Sequence, residues 1–192
     1  MIMRSGQAAI FQTERLMVKT ATEEDTDVFY ALWTDPRVMT NVGFPQGLPV
    51  TQDELKKTLS GQKGSEFERL LVVQLKATCQ IIGECKLSRP DNDGVAQPDV
   101  KLIPEFWGHK YGVEIWRGLV DYQFTHSDCS VVQATPSIEN AASIKMQKAV
   151  GLMRIAEAVH LFPEHMQSYT TPVHHHIYRL NRADWHKKQA TR

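Results

Sequence analysis

The 192-residue sequence has no excess of charge of either sign, because 22 Lys and Arg residues balance 22 Asp and Glu residues. A neutral chain lacks the basic surface with which proteins neutralise nucleic-acid phosphates or bind anionic membranes, so we expect neither partner. The sequence also has no apolar run near the roughly 18 residues of a membrane-spanning helix, and no signal-peptide core at its start. We therefore expect a cytoplasmic protein.

Cysteines are few, and their number, three, is odd, with no CxxC spacing. If Cys79 and Cys85 share a strand, they lie about 20 Å apart at about 3.3 Å per residue, whereas a disulfide needs Cα atoms within about 7 Å. We expect both, and Cys129, to be reduced thiols. A chain of this length buries about 70% of its unfolded surface, so it needs no disulfide or metal to hold a core.

No repeat, low-complexity segment or linker divides the chain, so we expect one domain over residues 11–186, with a flexible arm (1–10) before it and a short basic tail (187–192) after it. Caps and helical spacing predict helices that start after Thr22, Thr51, Lys110 and Asn140. Alternating apolar residues predict strands near 16–20, 67–76, 80–88, 95–103, 131–135, 152–162 and 170–180. This order predicts an α/β fold with a mixed, mostly antiparallel sheet of about seven strands flanked by helices.

A loop with two glycines, Gly108 and Gly112, joins a strand to a helix. A helix N-terminus has unpaired N–H groups and a partial positive charge, which suit a phosphate or pyrophosphate, and glycines let a ligand approach the backbone. A connection that merely needs flexible residues accounts for the same glycines, so spacing alone leaves both interpretations open. The spacing matches neither GxGxxG nor a P-loop, which disfavours nucleotide folds of those types.

Several segments together resemble one known family. They are PEFWGHKYGVE at residues 104–114, TERL at 13–16 with DPRVM at 35–39, IG at 82–83, NAASI at 140–144 and VGL at 150–152. These segments are similar to motifs of the GNAT superfamily of N-acetyltransferases, most closely of its RimJ/RimL branch, which acetylates protein N-termini. The resemblance covers about residues 11–185 and is more specific for the superfamily than for a substrate.

The resemblance implies a cofactor, acetyl-coenzyme A, bound in a cleft where two parallel strands splay apart. The backbone of Leu102 and Ile103 would pair with the pantetheine arm, Asn140 would meet that arm and Lys145 would reach a phosphate. The pyrophosphate would be held by backbone N–H groups of the loop, which comprises Gly108, His109, Lys110, Tyr111, Gly112 and Val113.

The implied reaction is direct attack of a primary amine on the thioester in a ternary complex, which needs a base, an oxyanion donor and an acid. The amine would belong to a protein N-terminus or to a small molecule. Gln97 aligns with the family's glutamate and cannot act as a base, so Asp99, on the same strand face, or a water takes that role. Ser143 has the position of the acid, although a helix serine that bonds to the Asn140 cap explains it equally well.

Lys110 departs from the family, which has glycine there, and we expect it to be tolerated only at negative φ. Its ammonium would add a phosphate contact. Gln97 and Lys110 together favour an alternative function, a non-catalytic acyl-CoA-binding module with a degenerate GNAT active site.

Three residues are candidates for contact with the acceptor amine, Glu84, His174 and His175, with a solvated strand face as the alternative for Glu84. His174 and His176 share a strand face, but spacing supplies no third ligand, so we predict no metal site. Dimers are frequent among GNAT proteins, so the resemblance also allows a homodimer.

Overall fold

The structure is a computed structural model, and it describes residues 8–190. Residues 1–7 of the predicted arm and 191–192 of the predicted tail lie outside the described residues. The described chain forms nine strands and six α-helices. The strands are β1 (Phe11–Gln12), β2 (Leu16–Thr20), β3 (Leu71–Leu75), β4 (Ile81–Lys86), β5 (Val95–Ala96), β6 (Asp99–Leu102), β7 (Val131–Ala134), β8 (Met153–His160) and β9 (Val173–Asn181). The helices are α1 (Thr26–Thr34), α2 (Pro36–Met39), α3 (Gln52–Ser60), α4 (Tyr111–His126), α5 (Ala141–Val150) and α6 (Arg182–Gln189).

The strands form two sheets, ordered β1-β2-β3-β4-β6 and β5-β7-β9-β8. Every pair is antiparallel except β5 with β7, which is parallel. The predicted mixed, mostly antiparallel α/β fold is therefore confirmed. The structure has more strand segments than predicted because the two-residue β1 was missed and because residues 95–103 form two strands instead of one.

Helices cover both faces of the first sheet. Leu71 and Val73 of β3 pack in one buried cluster with Ile115 and Leu119 of α4. Val72, which alternates with them, packs instead with α1 and α3. Helix α4 continues under the second sheet, where its other buried residues meet α5, β7 and β9. The long helix thus joins the two sheets on one side.

Helix ends follow the predicted caps. Thr51 and Glu54 form a capping box at the start of α3, with the Thr51 N–H donating to Glu54 Oε2 at 2.8 Å. Asn140 Oδ1 accepts from the Ser143 N–H at 3.0 Å at the start of α5, and Gly151 ends that helix with φ +101°. These local signals were sufficient to place both helices.

The C-terminal prediction needs a correction, because residues 187–189 of the expected tail continue α6. Trp185 anchors this helix by donating its indole N–H to Asp121 Oδ1 at 2.6 Å. Cys79, Cys85 and Cys129 are free thiols, as predicted, with Cys79 in the turn between β3 and β4. Within residues 8–190, no helix has the length and apolar character needed to cross a membrane.

The parallel pair separates at Pro98. Val95 and Ala96 pair with Val131 and Val132 of β7, but from Asp99 onward the chain pairs only with β4. The Gln97 N–H points away from β7, toward the Ser88 hydroxyl at 3.1 Å, so the nitrogen of Pro98 points toward β7. Proline has no N–H to continue the ladder. The resulting gap between β6 and β7 matches the splayed strands that the resemblance implied.

Candidate active site

The free edge of β6 lines the gap. The Ile103 N–H donates to Ile82 O on β4 at 2.9 Å, and the Ile103 carbonyl accepts from the Phe106 N–H at 2.9 Å. Since backbone direction alternates along a strand, the groups that face the gap are those of Val100 and Leu102. The prediction for Leu102 is therefore compatible with the structure, whereas that for Ile103 is wrong. Val100 is the residue that the sequence analysis missed.

Trp107 already contacts this edge. Its indole N–H donates to the Leu102 carbonyl at 2.8 Å, and the Trp107 side chain is 47% exposed. A carbonyl oxygen can accept a second hydrogen bond, so the contact still leaves acceptor capacity for a ligand.

The loop at the start of α4 presents six consecutive backbone N–H groups, those of residues 108–113. None donates to a protein acceptor in the described part of the chain, and the first bonded amide is that of Glu114, to Lys110 O at 3.2 Å. A Cβ built on Gly108 meets nothing within 4 Å, so the space beside the loop is open. Such an array at a helix N-terminus fits a pyrophosphate.

Lys110 has a left-handed backbone, with φ +64° and ψ +10°. The prediction that lysine would need a negative φ here is wrong. A non-glycine residue in this region costs on the order of 1 kcal/mol, and the loop turn keeps it there. The Lys110 side chain is exposed, beside the unpaired N–H groups.

Gly112 serves helix packing rather than ligand approach. A Cβ at this position would lie 2.8 Å from Met146 Sδ on α5 and 3.8 Å from Leu102 Cδ1. The absent side chain therefore lets α4 and α5 meet closely. This corrects the expectation that both loop glycines make room for the cofactor.

Arg15 and Glu114 fasten the loop to the turn between β1 and β2. Glu114 accepts from the Thr13 hydroxyl at 2.5 Å, from the Arg15 N–H at 2.8 Å and from Arg15 Nε at 2.7 Å. The Arg15 guanidinium also donates to His109 O at 3.3 Å and lies 4.4 Å from the centre of the Tyr111 ring. Two motifs distant in sequence thus hold the residues on either side of Lys110.

The start of α5 carries the remaining predicted cofactor residues. Asn140 Oδ1 caps the helix through the Ser143 N–H, so only its amide NH2 is free for a ligand. Ser143 does bond to the Asn140 cap, through its backbone N–H, as the alternative interpretation expected, while its hydroxyl makes no hydrogen bond within the described chain. Lys145 is exposed one turn further along.

A group of charged residues lies on the other face of the first sheet, under α1. Glu84 on β4 stands opposite Lys101 on β6, and its side chain is 5% exposed. Glu84 Oε1 accepts from Trp33 Nε1 at 2.7 Å and lies 3.4 Å from Lys101 Nζ. Lys101 Nζ also donates to Asp99 Oδ2 at 2.5 Å. The structure therefore brings together the predicted residues Glu84 and Asp99 and joins them through Lys101.

The pKa values of the two carboxyl groups move in opposite directions. Burial raises the pKa of Glu84 and outweighs the attraction of Lys101 and the Trp33 hydrogen bond. Desolvation also raises the pKa of Asp99, but the Lys101 ammonium outweighs it, so that pKa lies below its ordinary value. Asp99 is the more exposed group, at 53% of its side chain, and it is ionised at neutral pH.

His174 and His175 point to opposite faces of β9. Tyr178 and Leu180 pack toward α4, so alternation places His174 on their face and His175 on the face of Arg179. Arg179 donates to Gln133 of β7 at 2.7 Å on the face of the second sheet that points away from α4. Only His175 is thus on the side of the charged group. Within residues 8–190, no three His, Cys, Asp or Glu side chains are placed to hold a metal ion.

A family model for the acetyltransferase (GNAT) domain matches residues 15–153 of this chain. The chain belongs to the GNAT family. It is a GNAT-family N-acetyltransferase, its acetyl donor is acetyl-CoA, and the open amides of residues 108–113 with the free edge of β6 fit that cofactor. An uncharacterised N-acetyltransferase, p20 of Bacillus licheniformis, is 27% identical over 145 residues, covering 74% of this chain and 81% of that protein.

Two solved GNAT structures share the fold. A ribosomal-protein-S5-alanine acetyltransferase from Vibrio fischeri superposes with a TM-score of 0.72 at 18% identity, over 91% of this chain and 97% of that one. A spermidine N-acetyltransferase from Vibrio cholerae, solved with CoA and spermine, has a TM-score of 0.72 at 17% identity, over 89% and 98% of the two chains.

Proposed function

We propose that this GNAT protein acetylates the α-amine of a protein or peptide N-terminus, as the RimJ/RimL resemblance suggests. The supporting observation is the position of Asp99, an ionised carboxylate beside the gap on the face opposite α4. Acetyl-CoA supplies a thioester-activated acetyl group. Residues of the chain would bind this cofactor, orient the acceptor amine and transfer the protons.

The cofactor side of the gap would be formed by backbone groups. Amides of residues 108–113 would bind the pyrophosphate, Val100 and Leu102 would pair with the pantetheine arm, and the amide of Asn140 would meet that arm. The exposed ammonium groups of Lys110 and Lys145 would add charge for the phosphates, because neither forms an ion pair within residues 8–190.

On the acceptor side, Asp99 would orient the incoming ammonium and take its proton directly or through a water. Glu84, held by Trp33 and Lys101, would fix the position of Lys101 and so of Asp99. His175 would contact the acceptor from β9. On the cofactor side, the Ser143 hydroxyl would donate a proton to the leaving thiolate.

The weak basicity of Asp99 favours an α-amine over an alkyl amine. An α-amino group has a pKa of about 7.7–8.0, whereas an alkyl ammonium such as that of lysine has a pKa of about 10.4. Near pH 7.5 part of the α-amine is already deprotonated, so a weak base such as Asp99 is sufficient. Charge agrees with this choice, because the Lys101 ammonium contacts both Glu84 and Asp99 and offsets part of the negative charge that would attract a polyamine.

Release of free thiol from acetyl-CoA tests the proposal with three acceptors: peptides with a free N-terminal alanine, spermidine and kanamycin. We expect turnover with the peptides and none with their N-terminally blocked forms. Preference for spermidine or kanamycin would contradict the proposed acceptor. Tight CoA binding without turnover of any amine would instead support the alternative function, a non-catalytic acyl-CoA-binding module.

Asp99→Asn tests the base, with Asp53→Asn on the exposed side of α3 as the matched control. Loss of a positioned proton acceptor lowers kcat by about 10²-fold or more, while CoA affinity stays unchanged. Wild-type kcat in Asp99→Asn would show that Asp99 is not involved.

We also propose a cytoplasmic location, because all three cysteines are free thiols, as expected in a reducing compartment. A homodimer is proposed as well, through a surface outside the candidate active site.

A further inference from the structure

The gap between β6 and β7 has a closed end at Pro98. Before the proline, Ala96 of β5 pairs with Val132 of β7, and both residues are fully buried. After the proline the strands diverge, because Asp99 and the residues that follow pair with β4 alone. The gap is therefore widest toward the end of β6 and has no room between the strands at β5.

The proposed path of the cofactor leads to this closed end. With the pyrophosphate at the amides of residues 108–113, the pantetheine arm would run back along β6, past Leu102 and then Val100. The thioester at the end of the arm would then lie beside Val100 and Pro98. The acyl group could not continue between the strands, because the paired residues of β5 and β7 occupy that space.

Two directions remain for the acyl chain, one on each face of the sheets. The face opposite α4 carries Asp99, and the acceptor amine would approach the thioester from that side. An acyl chain on the same face would stand between the amine and the reacting carbon. In a productive complex the acyl chain therefore turns toward α4.

Trp116 occupies the α4 side at the level of the closed end. A Cβ at Gly112 would lie 3.8 Å from Leu102 Cδ1, which places the start of α4 beside the end of β6. Trp116 follows one helical turn later, about 5.4 Å along α4, and Val100 precedes Leu102 by about 6.6 Å along the strand. The same part of the helix therefore faces the same part of the strand.

Side-chain packing agrees with this placement. Trp116 is 2% exposed and belongs to a buried cluster that includes Ala96 and Ala134, and Val100 packs against that cluster. Alanine side chains are short, so they do not separate the indole from the gap. The indole is thus the large group that limits the depth of the gap on this side.

We propose that the Trp116 side chain restricts the transferred group to acetyl, by occupying the space that a longer acyl chain would need. Close-packed interiors do not yield to an added methylene without strain, so the indole excludes propionyl and butyryl groups. The inference rests on the proposed placement of the pantetheine arm and does not depend on the acceptor.

The indole is held by packing alone, which makes its size simple to change. Its Nε1 is buried and makes no hydrogen bond within residues 8–190. Trp116→Phe therefore removes volume without breaking a hydrogen bond and keeps an aromatic ring in the cluster. Phe124→Leu is the matched control, because Phe124 is a buried aromatic residue of the same helix and cluster, about 12 Å further from Gly112 than Trp116 is.

Thiol release with acetyl-, propionyl- and butyryl-CoA tests the proposal, with one acceptor amine in all reactions. In the wild type we expect kcat/KM to fall by about tenfold or more for each added methylene. Trp116→Phe should raise the ratio of propionyl to acetyl transfer by about tenfold, and Phe124→Leu should leave it unchanged. Equal use of the three donors by the wild type, or an unchanged ratio in Trp116→Phe, would overturn the proposal.

Calorimetric titration with acetyl-CoA and butyryl-CoA supplies a second measurement that needs no turnover. Trp116→Phe has room to bury the additional methylenes, so its ratio of Kd values should shift several-fold in favour of butyryl-CoA relative to the wild type. Failure of the proposed acceptor would leave this ratio measurable. Equal ratios in the wild type, Trp116→Phe and Phe124→Leu would show that Trp116 does not limit the acyl chain.

Discussion

Lys110 combines an unfavourable backbone conformation with an exposed ammonium group in the loop that we propose for the pyrophosphate. Glycine would adopt φ +64° without strain, so the lysine at this position has a local conformational cost. A residue that is strained at a functional loop is consistent with a role for its side chain.

We expect Lys110→Gly to stabilise the folded protein by about 0.5–1 kcal/mol in urea unfolding, or to leave it unchanged where the flexibility of unfolded glycine offsets the relief. The same variant lowers the affinity for CoA several-fold. Lys110→Glu keeps the strain and reverses the charge, so it weakens CoA binding much further. Calorimetric titration of the two variants with CoA separates the effect of backbone strain from the effect of charge on affinity. Equal CoA affinity in the wild type and both variants would contradict a phosphate contact.

Glu114 makes the stability of the protein depend on pH in the acid range. Desolvation raises its pKa, but the hydrogen bonds from Thr13 and Arg15 and the Arg15 charge outweigh it, so the folded pKa lies below the ordinary 4.5. An acid with a depressed pKa contributes stability above its unfolded pKa and loses it as the pH falls through the folded value.

As the pH falls from about 5 to about 3, the wild type should therefore lose more stability than Glu114→Gln, by on the order of 1 kcal/mol. Near neutral pH the variant should bind CoA more weakly, because Arg15 loses its partner beside His109 and Tyr111. Parallel acid unfolding curves for the two proteins would show that the Arg15–Glu114 contact does not stabilise the fold.

Strands β4 and β6 form the wall of the cleft, and Gly83 sets their separation. A Cβ at Gly83 would lie 2.3 Å from Lys101 O and 3.0 Å from Leu102 Cα, both backbone atoms that cannot move independently. The glycine of the I-G motif is therefore required by close strand pairing.

Gly83→Ala should destabilise the protein by about 2 kcal/mol or more and weaken CoA binding, because the displaced strand carries the edge of Val100 and Leu102. Gly61→Ala is the control. Its φ is −84° and its Cβ would lie 3.0 Å from Lys57 O and 3.9 Å from Thr58 O, so a much smaller loss is expected. Urea unfolding of both variants measures the difference, and equal losses would contradict the role of Gly83.

Element boundaries were predictable wherever a local signal marks them. The caps of Thr51 and Asn140 and the stop at Gly151 all match the structure. The break between β5 and β6 was missed, although Pro98 marks it, because hydrophobic alternation continues across the proline. The direction of each backbone N–H on β6 depends on pairing with β4, which no local pattern contains, so Ile103 was chosen in place of Val100.

At the scale of the whole molecule, the two sheets and α4 hold the residues that we propose for the cofactor and for the acceptor on opposite faces of one gap. Family motifs located the loop, but the link from Arg15 to Glu114 and the group of Glu84, Lys101 and Asp99 join residues far apart in the chain. Sequence spacing does not reveal such contacts, because only tertiary packing creates them.

Ligand binding to the folded state alone should raise the thermal midpoint. CoA at about 100 times its Kd stabilises the protein by about 2.7 kcal/mol, which corresponds to a rise in Tm of several degrees for a chain of this size. Differential scanning calorimetry with CoA, and with dephospho-CoA for comparison, measures the shift. An unchanged Tm with saturating CoA would exclude both the proposed transferase and the alternative binding module.

The hydrogen bond from the Trp107 indole to the Leu102 carbonyl makes the intrinsic fluorescence of Trp107 a reporter of ligand binding at this strand edge. Trp107 is half-exposed and touches the strand edge where the pantetheine arm would pair, whereas Trp116 is buried. Occupation of the gap changes the polarity around one indole, so its emission should shift when CoA arrives. Time-resolved fluorescence could then follow entry of the cofactor without any label, separately from chemistry.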